Sequence, residues 1–484
     1  MGLIVLGPLI QCVGGPRDRR LEIVPHACIH VGNDGVIESI EAGHHTHTDS
    51  EVSVLPTDSM THYNSPDPQQ QHTVVTVQWP QFIVPGFVDL HLHAPQLPQA
   101  GTQMHVPLET WLRETTIPRE ARFGNVEWAQ KVWQKLVRKT LSNGTSTAVY
   151  FASKHAQSAL LLAEECLQRG QRAFVGKVCM DNKDMCLCQA TAQKDSSVSL
   201  SEPCVCTEST QESVEETRHF IQEMASLHNT QTNNNDPLVQ AVITPRFVPS
   251  CSPELLTKLG QLTQEYKIHV QSHAWESDWQ VLYGEETRNA RDLDIFLSHN
   301  LVSPKGTVLA HAVHANDSEI TRLAETGVGV AHCPLSNAFF ANGIMPARLM
   351  LDAGVAVGLG TDIGGAWSAS ILDSCRQAIT SSRILRDGVG KLRGGKPCEH
   401  AAEINHIDAF WMATVGGALA LGRKGGIQVG AKFDALVIDV ENESNIDYFH
   451  ELDTPEDLFQ KFVALGDDRN IRQVFVDGKC VLAK

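Results

Sequence analysis

Pro85-Gly86-Phe87-Val88-Asp89-Leu90-His91-Leu92-His93 is the stretch on which the reading of the whole chain turns. Phe87, Val88, Leu90 and Leu92 give it the near-continuous apolar character of a strand buried on both faces. Side chains alternate along a strand, so His91 and His93 project together from one face at its end. Seven comparable apolar runs follow: Ser146–Phe151, Ala173–Cys179, Val239–Thr244, Ile268–His273, Thr307–His311, Val328–His332 and Val355–Thr361. Helix-length intervals separate them, Glu127–Leu141 and Ser158–Arg169 among them. This alternation predicts an α/β fold, a (β/α)8 TIM-type barrel, although an open doubly wound sheet has the same periodicity.

Outside that region the texture changes. Leu3–Val5, Leu21–Val24 and Ala27–Val31 are short apolar runs, and Gly32-Asn33-Asp34-Gly35 reads as a hairpin turn before Val36-Ile37. The far end behaves likewise, with Ala435–Val440, Val474–Val476 and a turn at Asp477-Gly478. Both ends are therefore expected to share one small β-sandwich, residues 1–84 with 425–484, around a barrel spanning 85–424. Two stretches interrupt this plan. Residues 44–73 are polar, and His44, His45, His47, His62 and His72 lack regular spacing, which predicts a solvated insertion loop. Residues 183–212 hold Cys186, Cys188, Cys204 and Cys206; structural zinc favours C-x2–4-C spacing, so these C-x-C pairs read as loop thiols.

The 484 residues carry 39 basic and 56 acidic side chains, a net charge of −17. That balance argues against nucleic acid or an anionic membrane as a partner. No apolar run reaches the roughly 18 residues of a membrane span. Pro8 interrupts Leu3–Ile10 and no basic segment precedes it, so no secretory signal is expected. Thirteen cysteines, an odd number, fit reduced thiols and a cytoplasmic protein.

Chemistry enters through the strand ends. His273 closes the fifth run, His311 the sixth, and Asp362 follows the eighth. In a barrel, strand C-termini meet at one mouth, where these residues would join His91 and His93. Imidazole nitrogens with a carboxylate oxygen suit zinc or ferrous iron, and a metal with an open position brings the pKa of bound water down to about 7. Singly, each of these residues is unexceptional. Their joint placement is what points to a metal site.

The same stretches resemble a known family. The Pro85–His93 run is similar to the first-strand signature of the amidohydrolase superfamily, and Gln-Ser-His273, Leu-Ala-His311 and Leu-Gly-Thr-Asp362 resemble its other ligand strands. No lysine ends the fourth run, which resembles the mononuclear deaminase branch. His332, in Ala-His-Cys-Pro-Leu-Ser-Asn337, belongs to a motif of that branch and is expected to be a supporting histidine behind the ligands. His93-Ala94-Pro95-Gln96, Thr244-Pro245-Arg246-Phe247, Ser272-His273 with Glu276, and Leu465-Gly466-Asp467-Asp468-Arg469-Asn470 narrow the likeness to the guanine deaminases of that superfamily.

The resemblance implies a barrel with a terminal β-sandwich, one Zn(2+) per chain, and metal-activated hydroxide attack that converts guanine to xanthine and ammonia in purine metabolism. It implies metal ligation by His91, His93, His273, His311 and Asp362, and substrate binding by Gln96, Arg246 and Phe247. Glu276 and Asp362 are implied as catalytic proton carriers, and a homodimer as the assembly. The residue types suit those tasks: Arg246 offers a planar donor fork, Gln96 an amide that can give or take, and Phe247 a stacking wall. Leu97 stands where an aromatic is usual, and Ala274-Trp275 replaces a small polar pair. Two other readings are a relative acting on another aminated purine or heterocycle, and a non-catalytic scaffold of the same fold. The second would be expected to have lost ligands.

Overall fold

The computed structural model describes residues 2–42, 61–64, 71–185, 207–229, 236–303, 305–388, 402–442 and 444–484. The cysteines of the 183–212 insertion and His44, His45 and His47 lie outside them.

Eight parallel strands follow one another around the central sheet: Phe87–His93, Thr145–Phe151, Arg172–Gly176, Val239–Pro245, His269–Ala274, Thr307–His311, Gly329–His332 and Val357–Leu359. The sheet closes just past its eighth strand. Asp362 N–H donates to the His91 carbonyl at 2.8 Å. One residue earlier, Thr361 donates to Asp89 through its N–H at 2.9 Å and its hydroxyl at 2.6 Å. The fold is the expected (β/α)8 barrel. One run is divided: Lys177 separates Arg172–Gly176 from a short strand, Val178–Cys179, which pairs with the end of the fourth strand.

The helices form where the sequence permits an apolar stripe and a cap. Val126–Ser142 starts at Asn125, whose side chain accepts the Trp128 N–H at 2.9 Å. It buries Ala129, Val132, Trp133, Leu136, Val137 and Leu141, the i, i+3, i+4 face of a surface helix. Among the described residues no helix is long and apolar enough to cross a membrane.

Both ends of the chain build the second sheet, ordered Lys479–Ala483, Ile471–Val476, Ala435–Ile438, Phe82–Pro85, Gly2–Val13, Arg20–Val31 and Ile37–Ala42. Val5, Ile29, Ile37, Val75, Phe433 and Phe475 are buried together as its core. The hairpin turn is present: Gly32 N–H donates to the Val36 carbonyl at 2.8 Å. Two expectations need correction. The first strands are each twelve residues long, not short runs, because Pro8 and Pro25 fall together in a bulge between the pairs Gly7–Ala27 and Leu9–Val24. The 44–73 stretch is not all loop: Thr61–Asn64 and Gln71–Thr76 are antiparallel strands, and the second runs parallel to Gly2–Leu6.

Arg172 rivets the barrel to this sheet. Its side chain is fully buried, with Nε 3.0 Å from Asp434 Oδ2 and Nη2 3.4 Å from Asp477 Oδ1. Asp434 precedes the strand Ala435–Ile438 and Asp477 sits in the last turn, so one guanidinium ties the third barrel strand to both.

Candidate active site

Strand geometry delivers the ligating side chains to one mouth. His91 and His93 come from the first strand, His273 from the fifth and His311 from the sixth, with Asp362 just beyond the eighth. Three residues here take left-handed backbone angles that L side chains adopt at a cost: Trp275 (φ 50°), His311 (φ 76°) and Asp362 (φ 48°). Each lies where a strand must turn sharply to aim a side chain inward. The loop after Asp362 is held close by Gly364 (φ +106°), since a Cβ there would stand 2.1 Å from Gln96 Cβ.

The five donors converge. His93 Nε2 lies 2.9 Å from His273 Nε2, and Asp362 Oδ1 lies 3.4 Å from His91 Nε2 and 3.5 Å from His93 Nε2. His311 Nε2 is 3.9 Å from Asp362 Oδ2. Ligands each about 2.0–2.2 Å from one zinc ion are separated by roughly these distances. The far nitrogens are already engaged: His273 Nδ1–H donates to the Arg246 carbonyl at 2.6 Å, and His311 Nδ1–H donates to Asn337 Oδ1 at 2.9 Å. Those bonds fix the tautomers and leave bare Nε2 lone pairs facing the centre. Burial and the neighbouring imidazoles push His91, His93 and His273 well below their ordinary pKa, so they are neutral donors. His91 Nε2, His311 Nε2 and Asp362 Oδ1 are buried without hydrogen-bond partners. Unpaired buried acceptors on this scale are costly, and a divalent cation satisfies all three. The residues therefore fit a nitrogen- and oxygen-ligated metal such as zinc. Cys333 is also close enough to His91, His311 and Asp362 to be a donor, but its S–H is directed at the Ala331 carbonyl, 3.5 Å away.

Glu276 stands beside the cluster, its Oε1 3.7 Å from His311 Nε2. It does not cap the helix that follows. Ser277 does, accepting the Gln280 N–H at 3.3 Å at the start of Asp278–Arg288. The left-handed Trp275, whose N–H donates to Asp292 Oδ2 at 2.6 Å, turns the chain so that Glu276 faces the mouth. Burial pushes the Glu276 carboxyl up to about 8, with Asp362 adding to the shift and Arg246 opposing it. A carboxyl near neutrality can both take and give a proton at physiological pH.

Gln96, Arg246 and Phe247 line the same pocket as His93, Glu276 and Asp362. Trp111 and Phe340, with ring centroids 4.9 Å apart, form an apolar wall together with Leu108 and Leu112. Leu97 packs against the hydrophobic core and is not part of this wall. His332 is buried behind the ligands; burial, then His311, pull it down to about 3. The Leu465–Asn470 segment lies outside the pocket, where Asp467 accepts the Arg469 N–H at 3.0 Å after the helix Pro455–Leu465. Sequence reading does not single out Glu120, whose carboxylate accepts from Gln96 and Arg246, Ser336, which lines the pocket, or the acceptor that Asn337 offers His311. For Asn337 a cue existed, since it closes the Ala-His-Cys-Pro motif; for Glu120 there was none.

Comparison with known proteins agrees with this geometry. The profile of the amidohydrolase family matches residues 82–481. A guanine deaminase of Dictyostelium discoideum is 33% identical over 470 residues, 95% of this chain and 94% of that one. The Homo sapiens guanine deaminase is 38% identical over 414 residues, 83% of each chain. A crystal structure of guanine deaminase from C. acetobutylicum with guanine bound in its active site superposes with a TM-score of 0.79 at 29% identity, covering all of both chains.

Proposed function

The chain belongs to the amidohydrolase family, and we propose that it hydrolyses guanine to xanthine and ammonia. The ion in this reading is zinc, one per chain, held by His91, His93, His273, His311 and Asp362. The observation that carries the proposal is the meeting of those five donors with Glu276 at the floor of a pocket lined by Gln96, Arg246 and Phe247.

Bound there, zinc supplies a water acidified to a pKa of about 7. The chain's residues do the rest. Gln96 and Arg246 hold the polar edge of the base, and Phe247 and Trp111 cover its faces. Glu276 takes a proton from the attacking water and delivers it to the adjacent ring nitrogen as the new C–O bond forms. Asp362 carries the second proton to the amine, and the C–N bond breaks with ammonia leaving. The products balance: guanine and water give xanthine and ammonia.

The homodimer and the cytoplasmic location rest on the family resemblance and the cysteine count, and gel filtration and fractionation check them. The reaction itself is tested by incubating purified protein with guanine, identifying xanthine and ammonia in equal amounts, and measuring the bound metal. One zinc per chain with stoichiometric product supports the proposal. Bound zinc with unchanged guanine removes the substrate assignment.

A further inference from the structure

Glu120 touches both Gln96 and Arg246, the two side chains assigned to the polar edge of the substrate. It ends the short helix Ile117–Glu120, far in sequence from either partner. Arg246 holds it with two nitrogens, Nη1 on Oε2 and Nη2 on Oε1 at 3.2 Å. Gln96 Nε2 donates to the same Oε1 at 2.7 Å. Arg246 is 2% exposed and Gln96 1%, while the Glu120 side chain is partly exposed, so two buried side chains are held by a carboxylate at the edge of the site.

The consequence for Gln96 follows from hydrogen-bond inventory. An ionised carboxylate only accepts, so the end of the Gln96 amide that meets Glu120 must be its NH2. Its carbonyl Oε1 is then turned away, buried and without a partner in the protein. One N–H of the amide is spent on Glu120, and Oε1 is left as its free acceptor. Arg246, held bidentately on one edge, keeps its remaining N–H groups as donors only.

We infer that Glu120 is a positioning residue that fixes the polarity of the pocket. It leaves Gln96 Oε1 as the free acceptor and holds in place the Arg246 fork, a donor in any state, so the site takes a heterocycle that presents a ring N–H to the first and an oxo oxygen to the second. An oxopurine offers both groups; the amino-and-bare-nitrogen edge of an aminopurine offers the reverse. The inference rests on the proposed guanine reading and adds to it the source of substrate polarity. It also accounts for a buried arginine whose fork is partly spent on a carboxylate.

A double-mutant cycle tests it: the parent, Glu120→Gln, Gln96→Ala and the double variant, each assayed for guanine kcat and KM, zinc content and melting temperature. A neutral amide at 120 no longer dictates which end of Gln96 it meets. Glu120→Gln is expected to raise KM about tenfold with kcat changed by less than about threefold and zinc unchanged. In the Gln96→Ala background the same change is expected to raise KM by a smaller factor, since only Arg246 is left for Glu120 to hold. Glu120→Asp, which keeps the charge, is expected to fall between parent and Glu120→Gln, and it replaces Glu120→Gln in the cycle if that variant does not fold. Kinetics within about twofold of the parent, an equal KM rise in both backgrounds, or loss of zinc together with kcat would each overturn the inference. A parent that leaves guanine unchanged overturns the functional reading itself and is distinguished by being measured first.

Discussion

Asn337 Oδ1 accepts the Nδ1–H of His311 at 2.9 Å, and by doing so it decides which nitrogen of that ring faces the other donors. The pair joins a helix, Pro334–Phe340, to the end of the sixth barrel strand. Replacing Asn337 with leucine keeps the bulk and removes the acceptor. Zinc affinity is expected to fall about 10- to 100-fold, as for other partners of metal-bound histidines. Competition with a chromophoric chelator measures it; an unchanged dissociation constant would show that His311 needs no such support.

Glu276 is close to the donor cluster without belonging to it. Glu276→Gln is therefore expected to keep one zinc per chain and the parent melting temperature while losing roughly 10²- to 10⁴-fold in kcat. Single-turnover assays with metal analysis on the same sample decide the matter. Full turnover in that variant removes Glu276 from the proton path.

Arg172 holds two parts of the fold together from a fully buried position. Truncating it to alanine strips the buried Asp434 of its guanidinium, while Asp477 keeps Lys432 Nζ at 2.8 Å, and is expected to cost about 3–5 kcal/mol, the usual range for breaking a buried ion pair. Urea unfolding reads this directly. A loss under about 1 kcal/mol would mean that the junction is held by its apolar contacts alone.

The same cluster predicts an acid-side weakness. Burial pushes Asp434 up, but the Arg172 charge, its hydrogen bonds and one from the Asp477 N–H outweigh burial and leave the carboxyl below its ordinary 3.8. As pH falls, the unfolded chain binds the Asp434 proton before the folded one does. The stability this carboxylate contributes is thus full above about pH 4 and lost as pH drops through its folded value. Asp434→Asn is expected to be less stable than the parent at neutral pH and to lose less on acidification between pH 5 and pH 2, in which range melting temperatures can be compared. Parallel curves for the two proteins would contradict the linkage.

Much of the fold could be read from the chain because its signals are local. The apolar runs of a buried parallel sheet and the polar residues at their ends coincide with the barrel and its mouth. Where reading fell short, the cause lay in contacts distant in sequence. Pro8 interrupts the apolar run Leu3–Ile10 in the sequence, yet with Pro25 it falls in one bulge of a continuous strand pair. Thr61–Asn64 and Gln71–Thr76 carry no strand periodicity; their pairing is imposed by the neighbouring Gly2–Leu6. The ligands were legible because a strand end is a fixed direction. Glu120 was not, because nothing in Thr-Thr-Ile-Pro-Arg-Glu120 announces a carboxylate shared by Gln96 and Arg246. The role of Trp275 was equally hidden, since a left-handed turn at a tryptophan has no sequence signature.

The most direct test of the account is the turnover of guanine by zinc-loaded protein, set against adenine and other aminated heterocycles under the same conditions and followed by ultraviolet absorbance. The account predicts that guanine is converted to xanthine, that kcat/KM for guanine exceeds the others by at least about 100-fold, and that chelation abolishes the activity until zinc is restored. Zinc-loaded protein that deaminates another heterocycle while leaving guanine intact would contradict it.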